Sequence, residues 1–206
     1  MGIAARRIRE FQRREREILQ AALRLLGGDN WQSVTVEEIA AAAEIGKGTV
    51  YKHFESKEEI SGWLMLDFHR LVLRDLRQID PALDVPARVR AVIRVYWHAH
   101  LNYRQYQRIL EYTIRDSFRR SLPPRLMAAW ESLAAETNPI LVGLIEQGVH
   151  QGLFPNRPVA ELMIGPQAAV NGMVLMLWGG CADTGEGDRF LDEIARFVLA
   201  GLAAAP

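Results

Sequence analysis

The chain has 206 residues, of which 49% are hydrophobic and 24% charged, with 25 basic residues balanced by 25 acidic ones. That is enough apolar mass for a sizeable core, and a formal charge of zero excludes a chain that is basic throughout. The single cysteine, Cys181, excludes an internal disulfide, and a lone thiol beside Gly180 reads as inert packing and not as a nucleophile or redox sensor.

Charge is unevenly placed. Between Arg6 and Arg16 stand six arginines against two glutamates, Glu10 and Glu15. Such an end is either a solvated helix start or a surface that meets an anionic partner. The same segment has no apolar core of the kind that marks a secretory leader. The longest apolar run, Met173 to Trp178, is too short to span a bilayer. A cytoplasmic protein with no membrane association is expected.

Ile18, Ala22 and Leu25, with Leu19, Leu23 and Leu26, follow the period of one helix face, and Gly27-Gly28 stops that helix. Thr35-Val36-Glu37-Glu38 is a capping box, in which the Thr35 hydroxyl accepts the Glu38 amide and the Glu38 carboxylate answers it. A short helix follows, with Val36, Ile39, Ala40 and Ala43 on one face. Glu44-Ile45-Gly46 then breaks the pattern, with Ile45 as an apolar anchor under the turn. A second short helix starts near Lys47, Val50 faces inward and Phe54 closes it. Two short helices joined by a turn of about three residues set a recognition helix in a DNA major groove. A plain helical hairpin with a solvated face is the competing reading.

The exposed face of the second helix would carry Lys47, Thr49, Tyr51, Lys52 and His53, and Gly48 leaves the backbone room to approach DNA. Lysine reaches phosphates or guanine edges, threonine touches a thymine methyl, and a tyrosine hydroxyl donates to phosphate. Ser56 caps the next long helix, whose first turn holds Lys57 and free amides that favour a phosphate. With Thr35, these are the candidate DNA-binding residues.

The run Thr35-Val36-Glu37-Glu38-Ile39-Ala40, followed by Gly48-Thr49-Val50-Tyr51-Lys52-His53-Phe54-Glu55-Ser56-Lys57-Glu58, closely resembles the DNA-binding domain of the TetR family of bacterial transcription regulators. The preceding helix fits as well, and the resemblance covers roughly residues 10–62. It implies a three-helix DNA-binding unit joined by a long fourth helix to a ligand-binding and dimerising bundle. It also implies that Lys47, Thr49, Tyr51 and His53 face DNA and that Lys57 holds a phosphate. One departure stands out. The family commonly has glycine in the turn and serine or threonine at the start of the recognition helix, where this chain has Glu44 and Gly46.

Beyond this segment, breaks fall at Asp80-Pro81 through Pro86, at Pro123-Pro124, at Pro155 to Pro158 and at Thr184 to Gly187. They separate helices at roughly 86–103, 105–120, 125–151, 158–179 and 188–203, with kinks expected at Pro139 and Pro166. No stretch alternates with a strand's period. The expected fold is all-α: a helix-turn-helix DNA-binding domain over 1–56, then an effector-binding and dimerisation bundle over 57–206.

Tyr96, Trp97, His100, Ile114 and Trp130 are the candidate pocket residues, facing an interior suited to an apolar or aromatic effector; a filled core is the alternative. Leu162, Ala169, Met173 and Leu177, with Ile194, Phe197 and Val198, form stripes that read as a homodimer interface, some of which must instead be core. His98 and His100 point to different helix faces, so no metal is expected, nor any other cofactor. The expected partners are double-stranded DNA, a second copy and a small-molecule effector. A helical enzyme would need a nucleophile–base pair that the sequence lacks at a plausible spacing. A DNA-binding architectural protein would need a bundle with no pocket.

Overall fold

The computed structural model describes residues 2–28, 30–113, 118, 122–180 and 187–203. Among them there is no strand. The described residues include, in order, α1 (Ile3–Leu26), α2 (Val36–Ala42), α3 (Lys47–Val50), α4 (Lys57–Leu76), α5 (Val85–Asn102), α6 (Gln107–Thr113), α7 (Pro124–His150), α8 (Val159–Leu162), α9 (Ile164–Trp178) and α10 (Gly187–Ala203), with a 3₁₀ turn at Arg104–Tyr106. Cys181 and Ile114 lie outside the described residues. The helices form two compact units, one of residues 1–69 and 103–131, the other of 70–102 and 132–206. The expected DNA-binding segment 1–56 lies wholly inside the first.

In the first unit α1 packs on α2, and α2 on α3. The buried face of α1 is Ile18, Ala21, Ala22 and Leu26, which joins a core that includes Ile39, Val50 and Phe54; of the two stripes read from the sequence, Leu19, Leu23 and Leu25 are only half-buried. Gly27 ends α1 at φ −81°, so left-handed backbone is not its purpose. A Cβ there would lie 2.7 Å from the Gln105 carbonyl oxygen, and close approach to the 3₁₀ turn is what requires glycine. Trp130 belongs to this unit, where its ring meets the His69 imidazole edge-on at 5.0 Å.

The core of the second unit is built by Val89, Ile93 and Trp97 of α5 with Met173, Leu191 and Val198. Gly187 starts α10 where a Cβ would touch the Trp97 ring at 3.5 Å. Pro139 sits inside α7, which the helix passes through. An interior proline costs about 3 kcal/mol, and the burial of Leu144 and Ile145 farther along the same helix acts against that cost. Where the sequence predicts one helix over 158–179 kinked at Pro166, two helices meet earlier, at Met163. Pro166 occupies the first turn of α9, where a missing amide donor is harmless.

Two expected residue sets need correction. Of the pocket candidates, Trp97 is 2% exposed and packed on Phe190 at 5.3 Å, and His100 stands edge-on to Trp178 at 5.3 Å. Both fill core instead of lining space, and half-buried Tyr96 packs against the same core. Of the interface candidates, Leu162, Met173 and Val198 are buried within the chain, and Ala169, Leu177 and Ile194 pack against that core. Only Phe197 stands out, at 69% exposed, joined by Ile164, Leu175 and Met176. The reason is that α9 is apolar but for Gln167 and Asn171, so its sequence gives little phase to tell the inward face from the outward one. By length and composition Val159–Trp178 would also reach across a membrane, although α8 and α9 part at Met163, and little of it is fully buried here.

Candidate nucleic-acid interface

The helix-turn-helix is fixed by local chemistry. Thr35 Oγ1 accepts the Glu38 amide at 3.2 Å, and Glu38 Oε2 accepts the Thr35 amide at 2.7 Å and its hydroxyl at 3.0 Å. The Thr35 amide is also the main reason that the Glu38 carboxyl lies below its ordinary value. A cap of this kind contributes about 1 kcal/mol.

At the other end of α2, the Ile45 amide bonds the Ala40 carbonyl at 2.9 Å and the Glu44 amide bonds Ala41 at 3.0 Å. This is a Schellman closure. Its left-handed residue is Glu44, at φ 55°, where glycine is the unstrained choice. Ile45 is half-buried, as an anchor beneath the turn should be. Gly46 caps α3 with no side chain to help, and its carbonyl accepts the Thr49 amide at 2.8 Å.

With Val50 and Phe54 inward, α3 and the turn after it present Lys47, Gly48, Tyr51 and Lys52 to solvent and half-expose Thr49. Nothing lies within 4 Å of a Cβ placed on Gly48, so the backbone face is open. Lys47 pairs with Glu37 across the motif, and its ammonium also lies 5.7 Å from the Tyr51 ring centre. Lys52 has no carboxylate partner among the described residues. Arg6, Arg7 and Arg9 are exposed on α1, which places the arginine-rich segment on one long helix of the same unit. Glu44 shares a surface cleft with Arg13, Arg14, Glu17 and Arg24, in which Glu17 is paired with Arg13 and Arg14.

Two candidates are placed differently from expectation. His53 is only 8% exposed, its ring stacked on Phe11 at 4.1 Å, and burial pushes its imidazole below the ordinary value. It belongs to the support of the motif. A four-residue helix is too short for its period to tell inward from outward. Lys57 Nζ donates to the Val34 carbonyl at 3.0 Å and to Gln32 at 3.4 Å, tying the loop between α1 and α2 to the start of α4. Ser56 does cap α4, accepting the Glu59 amide at 3.1 Å.

Sequence reasoning missed Arg125, at the start of α7. Its guanidinium donates to Glu59 at 2.6 Å, to Glu15 at 3.0 Å and to the His53 carbonyl just beyond α3. It also lies over the Phe54 and Trp63 rings, at 5.4 and 5.6 Å. Glu59 is fully buried and accepts two further bonds, from the Glu55 amide and Trp63 Nε1. One arginine thus joins α1, the end of the recognition helix and α4.

Buried imidazoles give this unit a pH dependence. Burial depresses His69 below its ordinary 6.5, against the opposing bond to the Met65 carbonyl, and His53 is depressed likewise. Because the folded chain holds both rings neutral, stability is complete above about pH 6.5 and falls as pH drops below it. Urea midpoints at pH 7.5 and 5.5 will show the loss, and His69→Gln will show a smaller one.

A family model for bacterial regulatory proteins of the tetR family matches residues 18–61. The HTH-type transcriptional regulator TcmR of Streptomyces glaucescens is 36% identical over 55 residues, 27% of this chain and 24% of that protein. The match therefore spans about a quarter of the curated relative's length. Among solved structures, a TetR family transcription regulator from Marinobacter aquaeolei VT8 aligns with TM-score 0.69 and 20% identity, covering 97% of this chain and all of that one. The fatty acid degradation regulator FadR from Bacillus halodurans aligns with TM-score 0.71 and 16% identity, covering 93% and 97%. At these identities the structural likeness establishes the fold.

Proposed function

We propose, from the premise that this is a TetR-family chain by the sequence of residues 18–61 and by its helical fold, that it is a ligand-responsive repressor. As a homodimer it binds a palindromic operator, and a small-molecule effector held by the helices behind the motif releases it. It acts in the cytoplasm by binding, without turnover. The observation that carries the reading is α3 with the turn after it. Its outward face is Lys47, Gly48, Thr49, Tyr51 and Lys52, held rigidly by an inward Val50 and Phe54. Thr49 and Tyr51 are the base and backbone readers, and Lys52 and the α1 arginines meet phosphates. Thr35 places the amide end of α2 toward the backbone.

The dimer is supported by the apolar residues that the chain leaves outside. A helix apolar nearly all round belongs in an interior, yet Ile164 is 66% and Leu175 59% exposed. A second copy supplies the missing interior and accounts for the hydropathy of Val159–Trp178 without a membrane. A two-fold pair also matches two half-sites about one DNA turn apart.

Selection of duplexes from a random pool at about 0.15 M salt, where non-specific phosphate binding is weakened, tests the reading. A two-fold symmetric motif is the expected product. Failure to enrich any motif, both before and after refolding to strip a retained ligand, would sink it. On the selected site, Lys52→Ala will weaken binding to all sequences alike and flatten the salt dependence by about one unit of slope.

A further inference from the structure

The second unit has a cleft of about 400 Å³ that sequence reading did not find, between the end of α4, the start of α5 and the middle of α7. Its walls include Ile79, Val92, Ile140 and Leu144, and its only charged lining residues are Arg77 and Arg88. The size falls in the usual range for small-molecule sites.

The two cations differ. Arg77 donates to the Glu136 carboxylate at 2.7 Å and is largely neutralised. Arg88 is half-buried and donates to the neutral side-chain carbonyl of Gln147 at 2.7 Å. No carboxylate among the described residues pairs with it. Asp84, one turn before it, accepts the Ala87 amide at 2.7 Å and Asp80 the Ala82 amide at 2.9 Å, and neither forms an ion pair with Arg88. A guanidinium beside apolar walls, held in place by a neutral acceptor and lacking an anion, presents its remaining donors as a fork for a carboxylate.

We infer that this cleft binds an amphipathic carboxylate, with the anionic head on Arg88 and an aliphatic body against Val92, Ile140 and Leu144. This names the class of the effector and so rests on the reading of the chain as a ligand-responsive regulator. Charge complementarity selects the head, because a cationic amphiphile would meet the guanidinium of Arg88, which has no carboxylate partner among the described residues. The walls select the tail, because burial of aliphatic surface is the remaining source of affinity. The expected aromatic contacts have no part in it.

The test is calorimetric titration of the full chain without DNA, using decanoate below its micelle concentration. Decanoate should bind saturably, decanol about tenfold or more weakly, and decyltrimethylammonium not at all. Arg88→Gln should weaken decanoate about tenfold or more, as expected for loss of a charge-assisted pair, and Val92→Trp should abolish binding by filling the cleft. Absence of decanoate binding, or binding indifferent to both substitutions, overturns the inference. The two readings fail separately. If ligand-free protein selects no duplex, the regulator fails while calorimetry still decides the cleft. If decanoate binds but leaves affinity for the selected duplex unchanged, the effector role fails.

Discussion

Replacing Leu175 and Phe197 together by glutamate will give a folded monomer that has lost nearly all operator affinity. Both side chains lie mostly outside the chain's own core, at 59% and 69% exposed, so the charges cost the protomer little. In a dimer they would sit where a stable association must bury roughly 800 Å² per partner, and unpaired buried carboxylates are not tolerated there. Losing the partner turns a two-site event into a one-site one, which lowers affinity by about 10²–10⁴-fold. Circular dichroism will report an unchanged fold, light scattering the halved mass, and fluorescence anisotropy the lost binding. A variant that stays dimeric would move the interface away from α9 and α10. Leu162, Met173 and Val198 are unsuitable probes, because they are core and their replacement unfolds the protomer.

Arg125→Ala will destabilise the first unit by about 3 kcal/mol, the lower end of the cost of stranding a buried charge. Glu59 has no exposed surface and would keep two neutral donors but lose its cation. Arg125→Lys will recover only part of the loss, because an ammonium cannot reach Glu59, Glu15 and the His53 carbonyl as a fork does. Adding Glu59→Gln to Arg125→Ala will restore stability relative to Arg125→Ala alone. Urea unfolding of the native chain, Arg125→Ala, Glu59→Gln and the double variant closes the cycle, and strict additivity would mean that the pair is not coupled.

The N-terminal motif was readable because its determinants are local. The capping box spans four residues, the Ser56 cap acts three residues along, and the apolar period of α1 runs over enough turns to set its phase. Arg125 was invisible for the opposite reason: its partners Glu59 and Glu15 lie 66 and 110 residues away. Lys57 reads as a phosphate ligand until the carbonyls of Val34 and Gln32, more than 20 residues earlier, are seen to hold it. In the second unit, apolar sequence could say only that α9 buries something. The cleft around Arg88 draws on three separate segments, and its chemistry lies in what Arg88 lacks, which no local pattern records.

Glu44 bears on how long such a protein stays on DNA. At φ 55° it carries a strain of roughly 1–2 kcal/mol that glycine would not, and on the DNA-binding reading its carboxylate would repel phosphates approaching the cleft it shares with Arg24. Glu44→Gly should therefore yield a chain that melts later and leaves its site more slowly, since affinity differences within one interface appear mostly as dissociation rates. On the reading of the chain as a repressor, a gene held by that variant would reopen late after the signal arrives. Stopped-flow dissociation from a labelled duplex would time the difference, with the native turn the faster to let go.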